Sequence, residues 1–155
     1  MKLRFEQILP IDRKSLFAFH QTPANLALLL EGFPSFRMEK HIGNIQPAAE
    51  VIISIKFGPL WVPFTFEHFL FEPPHQFGER QIKGPLRTFE HVHEFLEEGD
   101  DTRIIDHVEV TLPIWLGGDL AIWLMVLPGI KNFFNFREQS YKSLLDSGRL
   151  QSSQT

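Results

Sequence analysis

Cysteine is absent from the 155-residue chain, and this absence excludes disulfide bonds, thiolate nucleophiles and zinc sites built on cysteine. Runs of lysine and arginine are absent too, and the formal net charge of −4 gives no electrostatic footprint for nucleic acid. We therefore expect no binding to nucleic acid. The lack of cysteine also fits a reducing compartment.

Long apolar runs are missing as well. The most apolar stretch, residues 114–130, is interrupted by Gly117, Gly118, Asp119 and Pro128. It falls short of the ~20 unbroken apolar residues that a transmembrane helix requires. The first ten residues, MKLRFEQILP, lack the apolar core and the cleavage site of a signal peptide. We expect no stable membrane insertion and a cytoplasmic location.

Tyrosine occurs once, whereas phenylalanine occurs 16 times and tryptophan three times. Such a load of purely apolar rings suits a large core or a cavity lined with aromatic side chains. The length favours one domain, which we place at residues 1–147. Residues 148–155 have no apolar pattern and are predicted to form a disordered tail.

The order of secondary structure elements predicts the α+β class. A first strand covers residues 2–9, and Asp12 and Thr22-Pro23 mark the starts of two short helices. Glycine and proline pairs then separate a series of strands. The predicted strands span residues 36–42, 50–57, 62–71, 76–83 and the two arms of a final hairpin. After Pro113 the period becomes helical, and Pro128-Gly129 should bend or restart this last helix. We expect an antiparallel sheet of six to seven strands with one face covered by that helix.

The hairpin in residues 84–113 holds most of the candidate chemistry. Gly99-Asp100 lies between two alternating runs and is typical of a two-residue turn. With that turn, positions whose numbers sum to 199 face each other, so His93 lies opposite Asp106. The same face carries further apolar and polar side chains. Its other members are Phe89, His91, Phe95, Ile104, Val108 and Val110. We expect this more apolar face to point inward.

The turn before this hairpin decides which residues of the preceding strand share the inward face. A three-residue turn at Gly84-Pro85-Leu86 places Phe77, Glu79 and Gln81 there, with Glu79 opposite His91. A two-residue turn would turn these three side chains to the other face. The first register buries Phe77 and is the one we prefer.

Several segments carry a family resemblance that covers nearly the whole chain. They are FAFHQTPANL (17–26), FGERQIKGPLRTFEHVHEF (77–95), DHVEVTLP (106–113) and FFNFR (133–137). In these segments the chain resembles the ligand-binding and polyketide cyclase-like branch of the START-like, or SRPBCC, superfamily. The resemblance implies the helix-grip fold, in which a curved sheet wraps around a long C-terminal helix and two short helices follow the first strand. The superfamily includes lipid carriers, hormone receptors and cyclases, so the fold alone does not choose a function.

The opposed pair His93 and Asp106 has a functional and a structural interpretation. A carboxylate can orient an imidazole that then binds a ligand or moves a proton. The same pair can instead be a satisfied ion pair that fixes strand register, which we favour. A metal site on His91 and His93, completed by Glu79, Asp106 or His68, is a minor interpretation. We expect no metal and no cofactor.

Arg137 lies on the apolar stripe of the last helix, where a guanidinium must be paired or must reach water. It could anchor an acidic group of a ligand. Alternatively, it could pair with a carboxylate of the sheet, such as Asp106 or Glu79, and this is the interpretation we favour. The stretch with Trp115 and Trp123 is expected to pack over the mouth of the cavity rather than to form an exposed apolar patch.

These interpretations lead to one predicted function and one alternative. We predict a protein that binds a small hydrophobic molecule in a cavity between the sheet and the C-terminal helix. The predicted ligand-binding residues are Phe64, Phe66, Phe77, Glu79, Gln81, Phe89, His91, His93, Asp106, Val108, Phe133 and Arg137. The alternative is a cyclase- or hydrolase-like enzyme in which His93, oriented by Asp106, acts as general base. The sequence predicts neither the ligand nor an oligomeric state.

Overall fold

The structure is a computed structural model and describes residues 1–151. Within that range, one antiparallel sheet contains seven strands in the spatial order β1-β7-β6-β5-β4-β3-β2. The strands are β1 (Lys2–Leu9), β2 (Phe36–Ile42), β3 (Glu50–Phe57), β4 (Leu60–Glu72), β5 (Gln76–Lys83), β6 (Thr88–Glu98) and β7 (Asp101–Thr111). Strands β2 to β7 follow one another in sequence and in space, and β1 pairs with β7. The predicted α+β class and strand number are confirmed.

Two short helices, α1 (Arg13–His20) and α2 (Pro23–Leu29), connect β1 to β2. The side chain of Asp12 accepts a hydrogen bond from the backbone N–H of Ser15 at 2.9 Å and so caps the start of α1. Helix α2 begins with Pro23, and proline is tolerated there because the N–H that it lacks would have no acceptor within the first turn of a helix. Both helices begin where the capping residues predict.

The chain after β7 forms one long helical segment of mixed geometry. A 3₁₀ turn (Ile114–Leu116) leads into the short helix α3 (Gly118–Ala121), a π-helical turn (Ile122–Val126) and the long helix α4 (Leu127–Asp146). Pro128 falls in the first turn of α4, where it costs no backbone hydrogen bond. The sequence predicts a bend or a restart at Pro128-Gly129; the helical segment continues through these residues, and its geometry changes at the π turn just before them.

The strand registers agree with the two turns inferred from the sequence. Gly99 has a φ of 68°, a left-handed conformation that favours glycine, and His93 lies opposite Asp106. In the preceding pair of strands, Glu79 lies opposite His91, and Phe77 is buried. The inward face of the hairpin is therefore the predicted one.

Helix α4 divides the space above the sheet into two parts. Its C-terminal half contributes Tyr141 and Leu144 to a close-packed core. In that core the ring of Phe17 contacts those of Phe77 and Phe95, with centroids 5.9 and 5.4 Å apart. The N-terminal half of α4 lies over a cavity, which is described below.

The end of the described chain is attached to the core. The N–H of Leu150 donates to the carbonyl of Leu144 at 3.1 Å, and the Leu150 side chain is buried. The predicted disordered tail spans 148–155, and its residues 152–155 lie outside the described range. Among residues 1–151, no helix is both long and apolar enough to cross a membrane.

Candidate functional site

A buried ion pair connects the last helix to the middle of the sheet. The guanidinium of Arg137 faces Asp106 with both terminal nitrogens: Nη1 donates to Oδ1 at 2.9 Å, and Nη2 donates to Oδ2. Both side chains are almost fully buried. Burial opposes the ionised form of Asp106, but the positive charge of Arg137 and the hydrogen bond with His91 hold its pKa well below its usual range. Of the two interpretations of Arg137, the geometry matches the ion pair.

His91 extends this ion pair toward a second carboxylate. Its Nε2 lies 2.9 Å from Oδ1 of Asp106, and its Nδ1 lies 3.4 Å from Oε1 of Glu79. Burial opposes the imidazolium, but hydrogen bonding to Asp106 and Glu79 outweighs this effect and raises the pKa of His91. Both ring nitrogens therefore face carboxylate oxygens, an arrangement that favours the protonated ring.

His93 behaves differently from its neighbour His91. Its Nδ1 lies 2.8 Å from Oδ1 of Asp106, but the N–H does not point at that oxygen well enough to make a hydrogen bond. Its ring stacks on Phe77 with a centroid distance of 4.3 Å. Burial, together with the nearby charge of His91, lowers the pKa of His93 to about 3. His93 is therefore neutral at physiological pH.

Glu79 is the second carboxylate of the group. Burial opposes its charge, but the contact with His91 and the nearby imidazoles lower its pKa to about 2. Its side chain is 22% exposed, whereas that of Asp106 is 1% exposed. Glu79 is thus ionised and open to its surroundings on one side.

His20, which is half-buried, and the buried Tyr141 form a further pair, which the sequence analysis did not identify. Nδ1 of His20 lies 2.8 Å from the carbonyl oxygen of Leu16, and Nε2 lies 2.5 Å from the hydroxyl of Tyr141. Burial lowers the pKa of His20 to about 4, so the ring is neutral. Nδ1–H then donates to Leu16, and Tyr141 donates to Nε2. Tyr141 lies one helical turn after Arg137 on the same apolar stripe, and this spacing could have predicted that Tyr141 is buried.

A cavity of about 340 Å³ lies between the sheet, α2 and the start of α4. Its wall is mainly aliphatic and aromatic. The lining residues are Leu26, Leu30, Phe33, Ser35, Phe36, Val51, Ile53, Ile55, Lys56, Phe57, Gly58, Phe64, Phe66, Glu79, Leu86, Phe89, His91, Met125, Val126, Gly129, Ile130, Asn132, Phe133 and Phe134. Exposed members such as Lys56, Phe57 and Met125 mark its opening, and buried members mark its closed end. Glu79 and His91 are the ionisable groups at the closed end.

The structure brings half of the predicted ligand-binding residues to the cavity wall. Those that line it are Phe64, Phe66, Glu79, Phe89, His91 and Phe133. Within the described chain, the other six do not line it: Phe77, Gln81, His93, Asp106, Val108 and Arg137. Phe77 packs in the core, and Gln81 donates through Nε2 to the carbonyl of Leu86 at 2.8 Å. His93, Asp106 and Arg137 stand behind His91 as its supporting polar contacts.

Part of the cavity wall was not predicted, and strand β3 shows what could have identified it. Val51, Ile53 and Ile55 alternate along β3 and line the cavity. Ile53 pairs with Phe64 across the turn at Gly58-Pro59. The turn sets the register of β3 and β4, so it could have predicted that these residues of β3 share a face with Phe64.

The expectation that the two tryptophans pack over the cavity mouth is wrong. Trp115 is 81% exposed and Trp123 is 61% exposed. Their neighbour Ile122 is fully buried and is the residue by which this stretch enters the interior. The residues of the π turn that line the cavity are instead Met125, at the opening, and Val126. Only one side of this helical segment faces the interior, and the tryptophans fall on its outer side.

Three donors of the cluster are close enough together to be considered as metal ligands. Ligand atoms of Glu79, His91 and His93 lie within 4.8 Å of one another. A metal would need to bind a neutral imidazole nitrogen at about 2.0–2.1 Å. His91 has a carboxylate oxygen at each ring nitrogen, so it would have to lose a proton and move. As it stands, the group is an ion-pair network.

No family profile and no curated protein sequence matches the chain. Solved structures do match over most of its length. A protein of Thermus thermophilus has 16% sequence identity and a TM-score of 0.67, with 92% of this chain and 98% of that chain covered. Norcoclaurine synthase from Thalictrum flavum, in complex with dopamine and hydroxybenzaldehyde, has 12% identity and a TM-score of 0.69, with coverage of 94% and 87%. Ara h 8.0201 has 10% identity and a TM-score of 0.66, with coverage of 94% and 98%. These similarities confirm the helix-grip fold that the resemblance implies.

Proposed function

We propose that the chain binds a small hydrophobic molecule in the cavity between the sheet and helix α4. The observation that carries this proposal is the cavity itself, whose volume of about 340 Å³ falls at the lower end of the ~300–1,000 Å³ typical of ligand sites. Its wall is mainly apolar, so removing an apolar molecule from water is the driving force. Few polar groups remain to orient the molecule.

The polar groups at the closed end of the cavity support a specific orientation of the bound molecule. Glu79 and His91 lie among buried phenylalanines such as Phe64 and Phe66, and His91 is held by Asp106. Ligand sites of this kind usually combine an apolar wall with a small number of fixed polar groups. A ligand would therefore place its apolar body along the wall and its polar end against Glu79.

The fold gives general support to this proposal. Norcoclaurine synthase has the same fold and was crystallised with two small aromatic compounds. A molecule of comparable size and ring content suits a cavity whose wall carries Phe64, Phe66, Phe89 and Phe133. The fold by itself is compatible with both carriers and enzymes.

The alternative of an enzyme with His93 as general base has less support. His93 is not among the residues of the described chain that line the cavity, and burial lowers its pKa to about 3. A base with so low a pKa is poorly matched to proton abstraction near neutral pH. His93 and Asp106 as a catalytic pair remain a prediction, to be tested by turnover assays.

Native mass spectrometry of freshly purified protein would test the proposal, because a molecule that fills the cavity should co-purify. A second measurement uses the neutral dye N-phenyl-1-naphthylamine, whose fluorescence rises in apolar surroundings. We expect saturable binding with one dye per chain. Absence of a co-purified molecule together with absence of saturable dye binding would contradict the proposed function.

A further inference from the structure

The carboxylate of Glu79 has unused capacity to accept hydrogen bonds. Its Oε1 lies 3.4 Å from Nδ1 of His91, and its Oε2 lies 3.8 Å from Nε2 of His68. The first contact is long and the second is beyond hydrogen-bond distance. Glu79 lines an apolar cavity, so no neighbouring donor in the described chain satisfies it fully. A ligand that covers this partly exposed carboxylate removes it from water, so a donor on the ligand offsets the cost of covering it.

Asp106 provides the contrast within the same cluster. Both of its oxygens accept from Arg137, and Oδ1 also lies 2.9 Å from Nε2 of His91. Its donors come from the protein, and it does not line the cavity. Of the two carboxylates, Glu79 alone is available to a ligand.

Among the described residues, the donors at the closed end are already engaged, and His68, whose Nε2 lies 3.8 Å from Oε2 of Glu79, does not line the cavity. A ligand that needs to accept hydrogen bonds therefore finds no free donor at the closed end. His91 directs one ring nitrogen to Asp106 and the other to Glu79. Gln81 donates to the carbonyl of Leu86. A carboxylate ligand would meet the negative charge of Glu79 without a free donor to offset it.

The charges of the cluster also argue for a neutral ligand. With His91 in the protonated form that the carboxylate oxygens at both of its ring nitrogens favour, two positive groups, Arg137 and His91, balance two negative groups, Asp106 and Glu79. A neutral ligand preserves that balance, whereas an ammonium or a carboxylate would bring an additional charge into an apolar space.

We propose that the polar end of the ligand is an uncharged hydroxyl group, of a phenol or an alcohol, that donates a hydrogen bond to the Glu79 carboxylate. This inference rests on the proposed function, and it adds the class of ligand and the direction of the hydrogen bond. The apolar body of the molecule extends from Glu79 toward the opening near Lys56 and Met125.

Three probes of similar shape test the inference by calorimetric titration near neutral pH: 2-naphthol, 2-naphthoate and naphthalene. A hydrogen bond to a charged acceptor typically gives 10-fold or greater differences in affinity, so we expect 2-naphthol to bind about 10- to 100-fold more tightly than naphthalene. We expect 2-naphthoate to bind more weakly than 2-naphthol by at least about 10-fold. Equal binding of 2-naphthol and naphthalene, or tightest binding of 2-naphthoate, would overturn the inference and leave the proposed function standing. Absence of binding by all three while N-phenyl-1-naphthylamine still binds would overturn the inference alone, and absence of binding by all four compounds would overturn both.

Two substitutions connect the preference to Glu79. Glu79→Gln removes the charge and should reduce the advantage of 2-naphthol over naphthalene to about 3-fold or less. Glu90→Gln, on the adjacent strand β6 at an exposed position, should leave the advantage unchanged. Should Glu79→Gln fail to fold, Glu79→Asp keeps the charge but withdraws it by one methylene group, and the advantage should again fall. An unchanged advantage in the folded variant would contradict the inference.

Discussion

Arg137 of helix α4 and Asp106 of strand β7 form a buried bidentate ion pair that ties the helix to the sheet. The pair is charge-assisted and geometrically specific, as expected for guanidinium and carboxylate groups. Nε2 of His91 contacts the same Asp106 carboxylate, and Nδ1 of His91 faces the carboxylate of Glu79 at the cavity. The ion pair therefore fixes the height of the helix above the sheet and, through His91, the position of the ligand-facing carboxylate.

Asp106→Asn should strongly destabilise the fold. The substitution leaves the Arg137 guanidinium buried without a counter-charge, and removing one member of such a pair typically costs about 3–5 kcal/mol in the free energy of unfolding. Urea denaturation monitored by tryptophan fluorescence measures this loss. The control is Glu109→Gln, on the same strand, whose ion pair with Lys2 is exposed and should contribute little. Similar small effects in both variants would contradict the role given to the pair.

Tyr141→Phe should destabilise the fold without affecting the cavity. The substitution removes the donor to Nε2 of His20, and an acceptor left unsatisfied in the interior costs about 1–3 kcal/mol in the free energy of unfolding. Tyr141 does not line the cavity, so binding of N-phenyl-1-naphthylamine should be unchanged at temperatures where the variant is folded. A change in dye affinity that accompanies the loss of stability would show that the His20–Tyr141 pair also affects the cavity.

The hairpin was predictable because its turn is local. Gly99-Asp100 sets the register, and a period of two then assigns every side chain of both strands to a face. His93 opposite Asp106 follows from that rule alone. Glu79 opposite His91 depended in addition on the three-residue turn at Gly84-Pro85-Leu86, which was preferred because it buries Phe77. The N-caps and the terminal helix were predictable for the same reason, since their signals lie within a few residues of the element.

The depth of each residue within the inward face was not predictable. Strand alternation gives the face of a residue but not its distance from the helix that covers it. His91 and His93 share one face, yet only His91 reaches the cavity, because the position of α4 and the core around Phe77 decide where the open space lies. The π turn, which covers the cavity and exposes Trp123, likewise depends on tertiary packing rather than on a sequence signal.

Two glycine substitutions should have opposite effects on stability. Gly99 has a φ of 68°, and an L-residue in that region costs roughly 1–2 kcal/mol, so Gly99→Ala should lower the free energy of unfolding. Gly129 lies inside helix α4 with no atom within 4 Å of an added Cβ. Gly129→Ala should therefore raise the free energy of unfolding by about 0.5–1 kcal/mol. Thermal unfolding of both variants checks the signs, and a stabilised Gly99→Ala would contradict the assigned turn.

The stability of the fold should be greatest near the ordinary pKa of histidine. The pKa of His20 falls to about 4 and that of His93 to about 3, so below pH 6.5 the unfolded chain binds protons that the folded chain does not. Stability then falls with decreasing pH, by up to about 1.4 kcal/mol per pH unit for each histidine. The raised pKa of His91 acts in the opposite sense: its contribution is complete below 6.5 and is lost as pH rises through the folded value. The lowered pKa values of Glu79 and Asp106 add to the loss only in stronger acid.

Denaturation curves between about pH 5 and about pH 8 test this profile. In His93→Gln the loss of stability with acid should be shallower, because one of the two groups that resist protonation is gone. The control is His107→Gln, whose imidazole is exposed and pairs with Glu94 on the outer surface. A flat profile, or the same slope in His93→Gln as in the unchanged protein, would contradict the neutral state of His93.

Filling the cavity should weaken binding while the fold survives. Ile53 and Ile52 are neighbours on strand β3, and their side chains point to opposite faces of the sheet. Ile53 lines the cavity and Ile52 does not. A tryptophan at position 53 would occupy open space rather than packed core, so Ile53→Trp should change the free energy of unfolding by less than the roughly 1–3 kcal/mol typical of overpacking.

The same tryptophan at position 52 adds an equal apolar surface outside the cavity and serves as the matched control. Binding of N-phenyl-1-naphthylamine should weaken by at least about 10-fold in Ile53→Trp, because the dye and the indole compete for one space of limited volume. Ile52→Trp should bind the dye as the unchanged protein does. Equal dye binding by both variants would place the dye elsewhere on the molecule, for example on the exposed side chains Trp115 and Trp123, and would remove the cavity from the proposed function.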